Sequence, residues 1–217
     1  GYFKHFTQLT NTNRQKLFPD DAAHSDVPEV LRLDYIIESG FANGVDMVLK
    51  YEKRNSYLWL VYGLGNVDRW NGERWYDPVF DRRHNLNLVA SQDFGANKEW
   101  QISARWALGS GLPFTQSQGY YQSPNVNDGI YSDYITQNAG QVSIYYADLN
   151  EGRLPSYHRL DMSVKRTFED VMGGDLDFTA GVTNVYSREN VFYINRLTGQ
   201  RKNQLPFLPS ISLDWKF

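Results

Sequence analysis

The chain of 217 residues contains no cysteine. Thiol nucleophiles, disulfide bonds and cysteine-based metal sites are therefore excluded together. It has no run of 18 apolar residues either, so a transmembrane helix is not available. An excess of one charge is also missing, because 22 basic and 25 acidic residues leave a net charge of -3. This balance gives no electrostatic reason to expect nucleic acid as a partner.

Aromatic residues are abundant instead. The chain has 6 Trp, 15 Tyr and 12 Phe, which make up 15% of its residues. Tyr and Trp collect where an apolar surface meets water. The length suits one large domain or two small ones, and no cleavable signal is visible within the sequence.

Hydrophobic residues alternate with polar ones with a period of two, which predicts β-strands. Around residue 160, for example, Leu160, Met162 and Val164 alternate with polar neighbours. No segment shows a helical stripe of useful length. The pattern predicts an all-β protein with about eight strands, at Tyr2–Leu9, Asp34–Lys53, Tyr57–Val67, Val79–Asp93, Trp100–Phe114, Tyr157–Phe168, Leu176–Asn195 and Asn203–Phe217.

Tight turns and long connections follow each other along these strands. Short turn sequences occur at residues 54–56, 95–97 and 172–175, whereas the connections at 10–33, 68–78 and 115–154 are long. A soluble sandwich would show the same alternation within its strands. Strands of more than ten residues, regular charges on one side and this order of turns favour an antiparallel transmembrane β-barrel instead. Its apolar face would meet lipid and its polar face the lumen.

Four stretches of the sequence resemble the C-terminal part of a TonB-dependent outer-membrane transporter. Residues 80–88 contain Asp81-Arg82-Arg83-His84, similar to an Asp-x-Arg-His stretch that opens a late barrel strand. Residues 110–115 resemble the Gly-x-Pro-Tyr/Phe-Thr stretch of the next strand end. Residues 154–161 are similar to the family's Leu-Pro-x-Tyr-x-Arg-Leu-Asp sequence, and residues 181–185, followed by Asn190, to its Val-x-Asn-Leu-Phe sequence. The resemblance covers nearly the whole chain and is weakest in the first thirty residues.

The resemblance implies uptake of a nutrient (an iron chelate, cobalamin, a glycan or a peptide) across the outer membrane of a Gram-negative bacterium. The long loops would be extracellular and the C-terminus periplasmic. The family's barrel has 22 strands around an N-terminal plug, so residues 1–217 are expected to form its last eight strands or so. Implied partners are the lipid bilayer, the rest of the barrel and the plug, a TonB-type energy-coupling protein reached through the plug, and the barrel-assembly machinery. An independent eight-stranded barrel and a structural scaffold in an envelope assembly are the alternatives.

No catalytic or nucleotide-binding motif is present, so we expect neither an enzyme nor a cofactor. The four histidines lack metal-ligand spacing. Ser156, His158 and Asp161 are close in sequence, but alternation puts Asp161 on the other side of its strand, away from the other two. In the first long loop, Asp20, Asp21 and Asp26 offer oxygen ligands for calcium, or are simply solvated acids.

The candidate site residues fall into three groups. The 115–154 connection is too long for a mere linker and is rich in Tyr among Asn, Ser and Gly, which suits recognition of polar or glycan-like ligands, or folding back as a lid. We take Tyr120, Tyr121, Tyr131 and Tyr134 from it as substrate-binding candidates, together with Arg83 and Arg105 from the polar side. That side also carries Lys50, Glu52, Asp161 and Lys165, and mutual pairing is the alternative for all these charges.

Tryptophans and the chain end form the remaining group. Trp59, Trp100, Trp106 and Trp215 are expected on the lipid face or in an interfacial belt. Trp215 and Phe217, which end an amphipathic last strand, resemble the terminal aromatic signal by which bacterial barrels are recognised for insertion.

Overall fold

The structure, a computed structural model, describes residues 1–10, 37–123, 141–195 and 198–217. This part of the chain is all-β, with antiparallel pairing throughout. None of its residues belongs to a helix of the length and apolarity that crossing a membrane requires. The prediction of the fold class as all-β and antiparallel is confirmed.

Eight long strands form one antiparallel meander in which each strand pairs with the next long strand along the chain. They are β1 (Tyr2–Thr10), β2 (Ile37–Lys53), β3 (Ser56–Trp70), β5 (His84–Phe94), β6 (Trp100–Gly109), β11 (Tyr157–Val171), β12 (Gly174–Thr183) and β15 (Leu208–Lys216). A short strand, β4 (Trp75–Tyr76), pairs with the end of β3. All eight predicted strands are present, although four of them, β5, β6, β12 and β15, are shorter than expected.

Turns explain why two of these strands, β5 and β12, are shorter. The strand predicted from Val79 begins only at His84, because residues before it turn around the buried carboxylate of Asp81. The strand predicted to run to Asn195 ends at Thr183, because Asn184 takes a positive φ of 56° and starts a turn. Alternation alone does not reveal either turn.

Three small antiparallel pairs lie between the long strands. They are β7 (Pro113–Phe114) with β10 (Gly152–Arg153), β8 (Ser117–Ser123) with β9 (Gln141–Tyr146), and β13 (Val191–Ile194) with β14 (Arg201–Asn203). The connection expected to be a long loop at 115–154 therefore contains the whole β8–β9 pair and one strand, β10, of the β7–β10 pair. Sequence alternation missed them because these strands have no apolar side facing a core.

The connections separate to the two ends of the sheet. The turns at residues 54–55, 95–99 and 172–173 all lie at one end, the tight-turn end. The described parts of the connections after β3, β6 and β12, with the small strands in them, lie at the other end, the loop end. This separation follows from the meander, in which alternate connections return to the same end.

Register places the apolar side chains of adjacent strands on one face. Residues paired directly across neighbouring strands form rows, and one row contains Leu60, Leu88, Trp106 and Leu160. Other rows on the same face contain Met47, Met162, Ala180, Ile211 and Leu213. This apolar face is not covered: Met47 is 63% exposed and Ile211 73%. Among the described residues, Tyr76 is the only large hydrophobic residue that is buried.

The opposite face is polar. Five of the expected charged residues share it: Lys50, Glu52, Arg105, Asp161 and Lys165. Several of them pair, as Lys50 does with Glu52 at 3.0 Å and Lys165 with Asp177 at 4.0 Å. Mutual pairing, the alternative for these charges, is thus present for Lys50 and Glu52, whereas Asp161 and Lys165 pair with other residues, Arg159 and Asp177.

Trp59 also lies on the polar face, opposite Lys50 and Val89, so its predicted place among the apolar-face tryptophans is wrong. Both sides of β3 are apolar in sequence around this residue, and only the register with neighbouring strands distinguishes them. Trp100, Trp106 and Trp215 do lie on the apolar face.

The strands are staggered. A row of partners that starts at Lys53 and Ser56, next to the first tight turn, reaches Ile211, five residues before the end of β15 at Lys216. β1 and β15 are the two edges of the sheet in the described part of the chain. A constant stagger of this kind is what a tilted, curving sheet requires.

Candidate functional site

Buried polar side chains gather at the loop end, where they hold the long connections against the sheet. Of the six buried polar residues in the described part of the chain, five lie there: Glu38, Asp81, Asn150, Asn184 and Asn190. A buried polar group is tolerated only when it is hydrogen-bonded. Each of these residues does bond to a segment distant in sequence, so together they form the framework of the candidate site.

Arg153 on β10 joins two loops. Its guanidinium donates to Asp81 at 2.8 Å and to Asp77, and it also bonds to the carbonyl oxygen of Gly111 at 3.3 Å. Asp81 is 1% exposed and also accepts from the backbone of Val67. Burial opposes the charge of Arg153, but the hydrogen bonds to Asp81 and Asp77 outweigh it and raise the pKa of Arg153. The guanidinium stays charged and fixes the base of the 110–156 connection.

Asn150 reinforces the same junction. Its side chain donates to the carbonyl oxygen of Asp77 at 2.9 Å and accepts from the Thr115 hydroxyl at 3.1 Å. Nearby, Arg74 pairs with Asp148, and this hydrogen bond raises the pKa of Arg74. The connection 110–156 is therefore tied to the connection after β3 by both charged and neutral contacts.

Asn184 and Asn190 hold the connection after β12. The Asn184 amide nitrogen donates to the carbonyl oxygens of Arg188 at 2.9 Å and Leu205 at 3.0 Å, and its side-chain oxygen accepts from the backbone of Arg188. Asn190 bonds to both backbone groups of His158 on β11. The loop is thus bound to the beginning of one strand and the approach to another.

Glu38 anchors the loop-end part of β2. It accepts from the Tyr76 hydroxyl at 2.6 Å and from Arg69 at 3.3 Å, and Arg69 also donates to the carbonyl oxygen of Thr10. Beside this cluster, Trp75 packs against Phe41 and Trp70, with ring centres 5.5 and 5.6 Å apart.

A groove of about 430 Å³ lies between the β8–β9 pair and the β13–β14 pair, the two loop-end hairpins. The described residues that line it are uncharged: Phe114, Thr115, Gln116, Ser117, Tyr120, Ile194, Asn195 and Gly199. Hydroxyl and amide groups, with the Tyr120 ring, suit a neutral polar ligand better than an ion. A second, shallower depression on the polar face is lined by Ser103, Arg105, Asp161, Ser163 and other residues of β5, β6, β11, β12 and β15.

The structure separates the predicted site residues. Tyr120 and Tyr121 lie on β8, and Tyr120 lines the groove. Arg105 lines the depression on the polar face, and Arg83 is half exposed near Asp77 and Asp81 at the loop end. Tyr131 and Tyr134 lie outside the described residues, as do the aspartates at 20, 21 and 26.

Two further predictions concern constellations of residues. His158 lies on the apolar face and bonds to the Tyr186 hydroxyl at 2.7 Å, while Asp161 on the polar face bonds to Arg159 and Asn184, so no triad assembles. No group of three or more metal-ligating side chains occurs within the ranges that the structure covers. Trp215 and Phe217 contact each other at the edge of the sheet, with ring centres 5.7 Å apart.

Sequence reasoning missed the residues of the framework. Asn184 and Asn190 stand inside the family-like stretch at 181–190, and Asp81 inside that at 80–88, which was the available signal. Comparison of the chain with protein-family models, with curated proteins and with solved structures gives no match.

Proposed function

We propose that this chain forms part of the wall of an outer-membrane β-barrel that imports a nutrient with energy from a TonB-type protein. One observation carries the membrane part of this proposal: the apolar face of the meander is exposed across its strands. Apolar patches beyond a few hundred Å² are rare on soluble monomers and mark interaction surfaces. Lipid is the partner that suits a whole sheet face with alternating polar residues behind it.

The two ends of the sheet suit the two sides of such a membrane. Outer-membrane barrels have short periplasmic turns and longer extracellular loops. The tight-turn end, with Phe217, would accordingly lie in the periplasm, and the loop end outside the cell. The stagger of the rows supports closure into a cylinder.

Closure requires strands beside β1 and β15, because lipid cannot satisfy the open backbone groups of an edge strand. We propose that further strands, as in the 22-stranded family, complete the barrel and surround a plug that contacts the energy-coupling protein. Direct pairing of β1 with β15 would instead give an independent eight-stranded barrel.

The substrate part of the proposal rests on the family resemblance and on the loop end. The uncharged groove and the tyrosines of β8 and β9 are suited to a neutral, hydrogen-bonding ligand such as a glycan. Its anchored base would hold the hairpins in place for binding. The chain itself makes or breaks no bond in this process.

Single cysteines test the orientation, and the absence of native cysteine makes the labelling unambiguous. Gln122 on β8 and Asn97 in a tight turn are both exposed. On intact cells, an impermeant maleimide should label Gln122→Cys but not Asn97→Cys, and both should react after lysis. Labelling of Asn97→Cys alone on intact cells would contradict the orientation, and labelling of neither after lysis would show an assembly fault.

Uptake tests the transport function. Cells lacking the protein should lose accumulation of one compound in a labelled panel of iron chelates, cobalamin, oligosaccharides and peptides. Complementation and a proton-motive force should both be needed to restore it. If the deletion strain takes up the whole panel normally but has an altered envelope, the scaffold function is favoured over transport.

A further inference from the structure

A cation lies among aromatic side chains on the apolar face near the tight-turn end. Arg166 on β11 is exposed and lies in the row formed by Phe94, Trp100, Phe178 and Leu213. Lys165, its neighbour in sequence, lies on the polar face opposite Gln101 and Thr179. The two adjacent cations therefore meet different surroundings.

Aromatic rings surround the Arg166 guanidinium. Its central carbon lies 4.9 Å from the ring centre of Trp100 and 4.5 Å from that of Phe168. Both distances are within the range of cation–π attraction. Phe94 stacks on Trp100 beyond it, with ring centres 6.1 Å apart. An aromatic group of this kind is typical of the boundary between hydrocarbon and headgroups.

The rings leave the hydrogen-bonding capacity of Arg166 unused. Guanidinium has five N–H donors in its plane, and aromatic faces do not replace an oxygen acceptor. Within the described part of the chain, the Arg166 side chain has neither a hydrogen bond nor an ion pair. By contrast, Lys165 has Asp177 at 4.0 Å.

We propose that Arg166, Trp100 and Phe168 form a binding site for the phosphate of an anionic phospholipid in the leaflet at the tight-turn end. This inference rests on the proposed membrane location of the apolar face. Phosphate accepts two parallel N–H bonds from guanidinium, which Lys cannot supply. The lipid's acyl chains would lie along the neighbouring apolar side chains, such as Val164, and the stem of Arg166 would extend to the headgroup level.

Contact quenching tests this site in the intact protein, extracted from membranes with whatever chains accompany it and reconstituted in bilayers. A fluorophore is attached at Val164→Cys, two residues from Arg166 on the same face. Brominated phosphatidylglycerol or brominated phosphatidylcholine with identical chains is then added at the same mole fraction. A matched label at Leu49→Cys reports the same face away from Arg166.

Phosphatidylglycerol should be enriched about fivefold next to the Val164→Cys label, as expected for one favourable cation near a headgroup. Arg166→Gln should reduce this enrichment to that of the Leu49→Cys control, Arg166→Lys should leave an intermediate value, and Lys165→Gln should not change it. Equal quenching by both lipids, or enrichment that persists in Arg166→Gln, would overturn the proposed site for an anionic phospholipid while preserving the membrane contact. No quenching by either lipid at both labels would overturn the proposed membrane location itself.

Discussion

At the loop end of this protein, buried asparagine side chains hold distant segments together, as apolar side chains do in the core of a soluble protein. Asn150, Asn184 and Asn190 are buried, and each connects backbone groups that are distant in sequence. An amide has both donors and an acceptor, so one side chain can satisfy several backbone groups of a loop. Connections without an apolar core thereby keep a defined position.

Asn184→Gly should destabilise the fold by about 2–3 kcal/mol, because three side-chain hydrogen bonds are lost while glycine still adopts the positive φ. Asn184→Ala should cost about 1–2 kcal/mol more, since the left-handed conformation strains a β-carbon. Urea unfolding followed by tryptophan fluorescence measures both. Ser187→Gly is the control, with a φ of 51° in the same turn and an exposed side chain, and it should cause no loss.

Arg153→Met should cost about 1–3 kcal/mol, because it leaves the buried Asp81 carboxylate with only the more distant Arg83, at 3.7 Å, as a cation. The figure is reduced because Arg153 itself is 32% exposed. Arg74→Met is the matched change at an exposed pair and should cost about 0–1 kcal/mol. Asp81→Asn in the Arg153→Met background should recover part of the stability, and additive effects of the two changes would contradict the pairing.

At the scale of the elements, the hairpins depend on residues that accept positive φ. The turn between β11 and β12 places Met172 at 55° and Gly173 at 83°. Two-residue hairpin turns of this kind favour Asn followed by Gly. Met172 therefore occupies a position for which its side chain is poorly suited, and it is 88% exposed.

Met172→Asn should stabilise the protein by about 0.5–1 kcal/mol, because Asn adopts the left-handed region more easily than Met. Gly173→Ala should destabilise it by about 1 kcal/mol, although an added β-carbon there meets no atom within 4 Å. Equilibrium unfolding of the two variants should give shifts of opposite sign. Two shifts of the same sign would show that φ is not the determining factor.

Strand β5 allows a direct comparison of the two faces, because Leu88 and Asn87 are neighbours that point to opposite sides. Leu88→Arg should cost about 2–4 kcal/mol in a bilayer, as for a cation near the midplane of the lipid face. Asn87→Arg, on the polar face opposite Val61 and Ala107, should cost less than about 1 kcal/mol. Folding into vesicles under urea gives both values, and equal costs would contradict the assignment of the faces.

At the scale of the whole molecule, the sheet is a wall with two open edges. β1 pairs with β2 and β15 with β12, and the described residues place no strand on their outer sides. In the proposed barrel, lipid would cover the apolar face and further strands would pair with both edges. Under this proposal, the stability of the wall depends on the completed cylinder as well as on contacts within the chain.

Residues 1–217 expressed alone should not form a closed barrel, because the edge strands would expose unpaired backbone groups to lipid. Closed barrels migrate differently on gels before and after heating, so unheated samples report closure. The complete assembly should show the shift and the isolated chain should not. A compact, heat-modifiable species from the isolated chain would instead support the eight-stranded barrel.

Sequence alternation was sufficient to predict the eight long strands, the two kinds of connection and most residues of the apolar face. These properties are local, because a strand's period of two and a turn's composition appear within a few residues. The side of Trp59 was not predictable, because both sides of β3 are apolar around it. Register with β2 and β5 decided it.

Only the tertiary structure revealed the loop-end framework. Arg153 reaches Asp81 across 72 residues and Asn150 reaches Asp77 across 73, and no pattern within one segment contains such pairs. The surroundings of Arg166 were likewise not predictable, because in the sequence it is simply one of two consecutive cations. The pleat sends Lys165 to the polar face and Arg166 among aromatic rings, and the neighbouring strands supply those surroundings. Sequence determined the alternation; the pairing of distant strands determined which side chains meet.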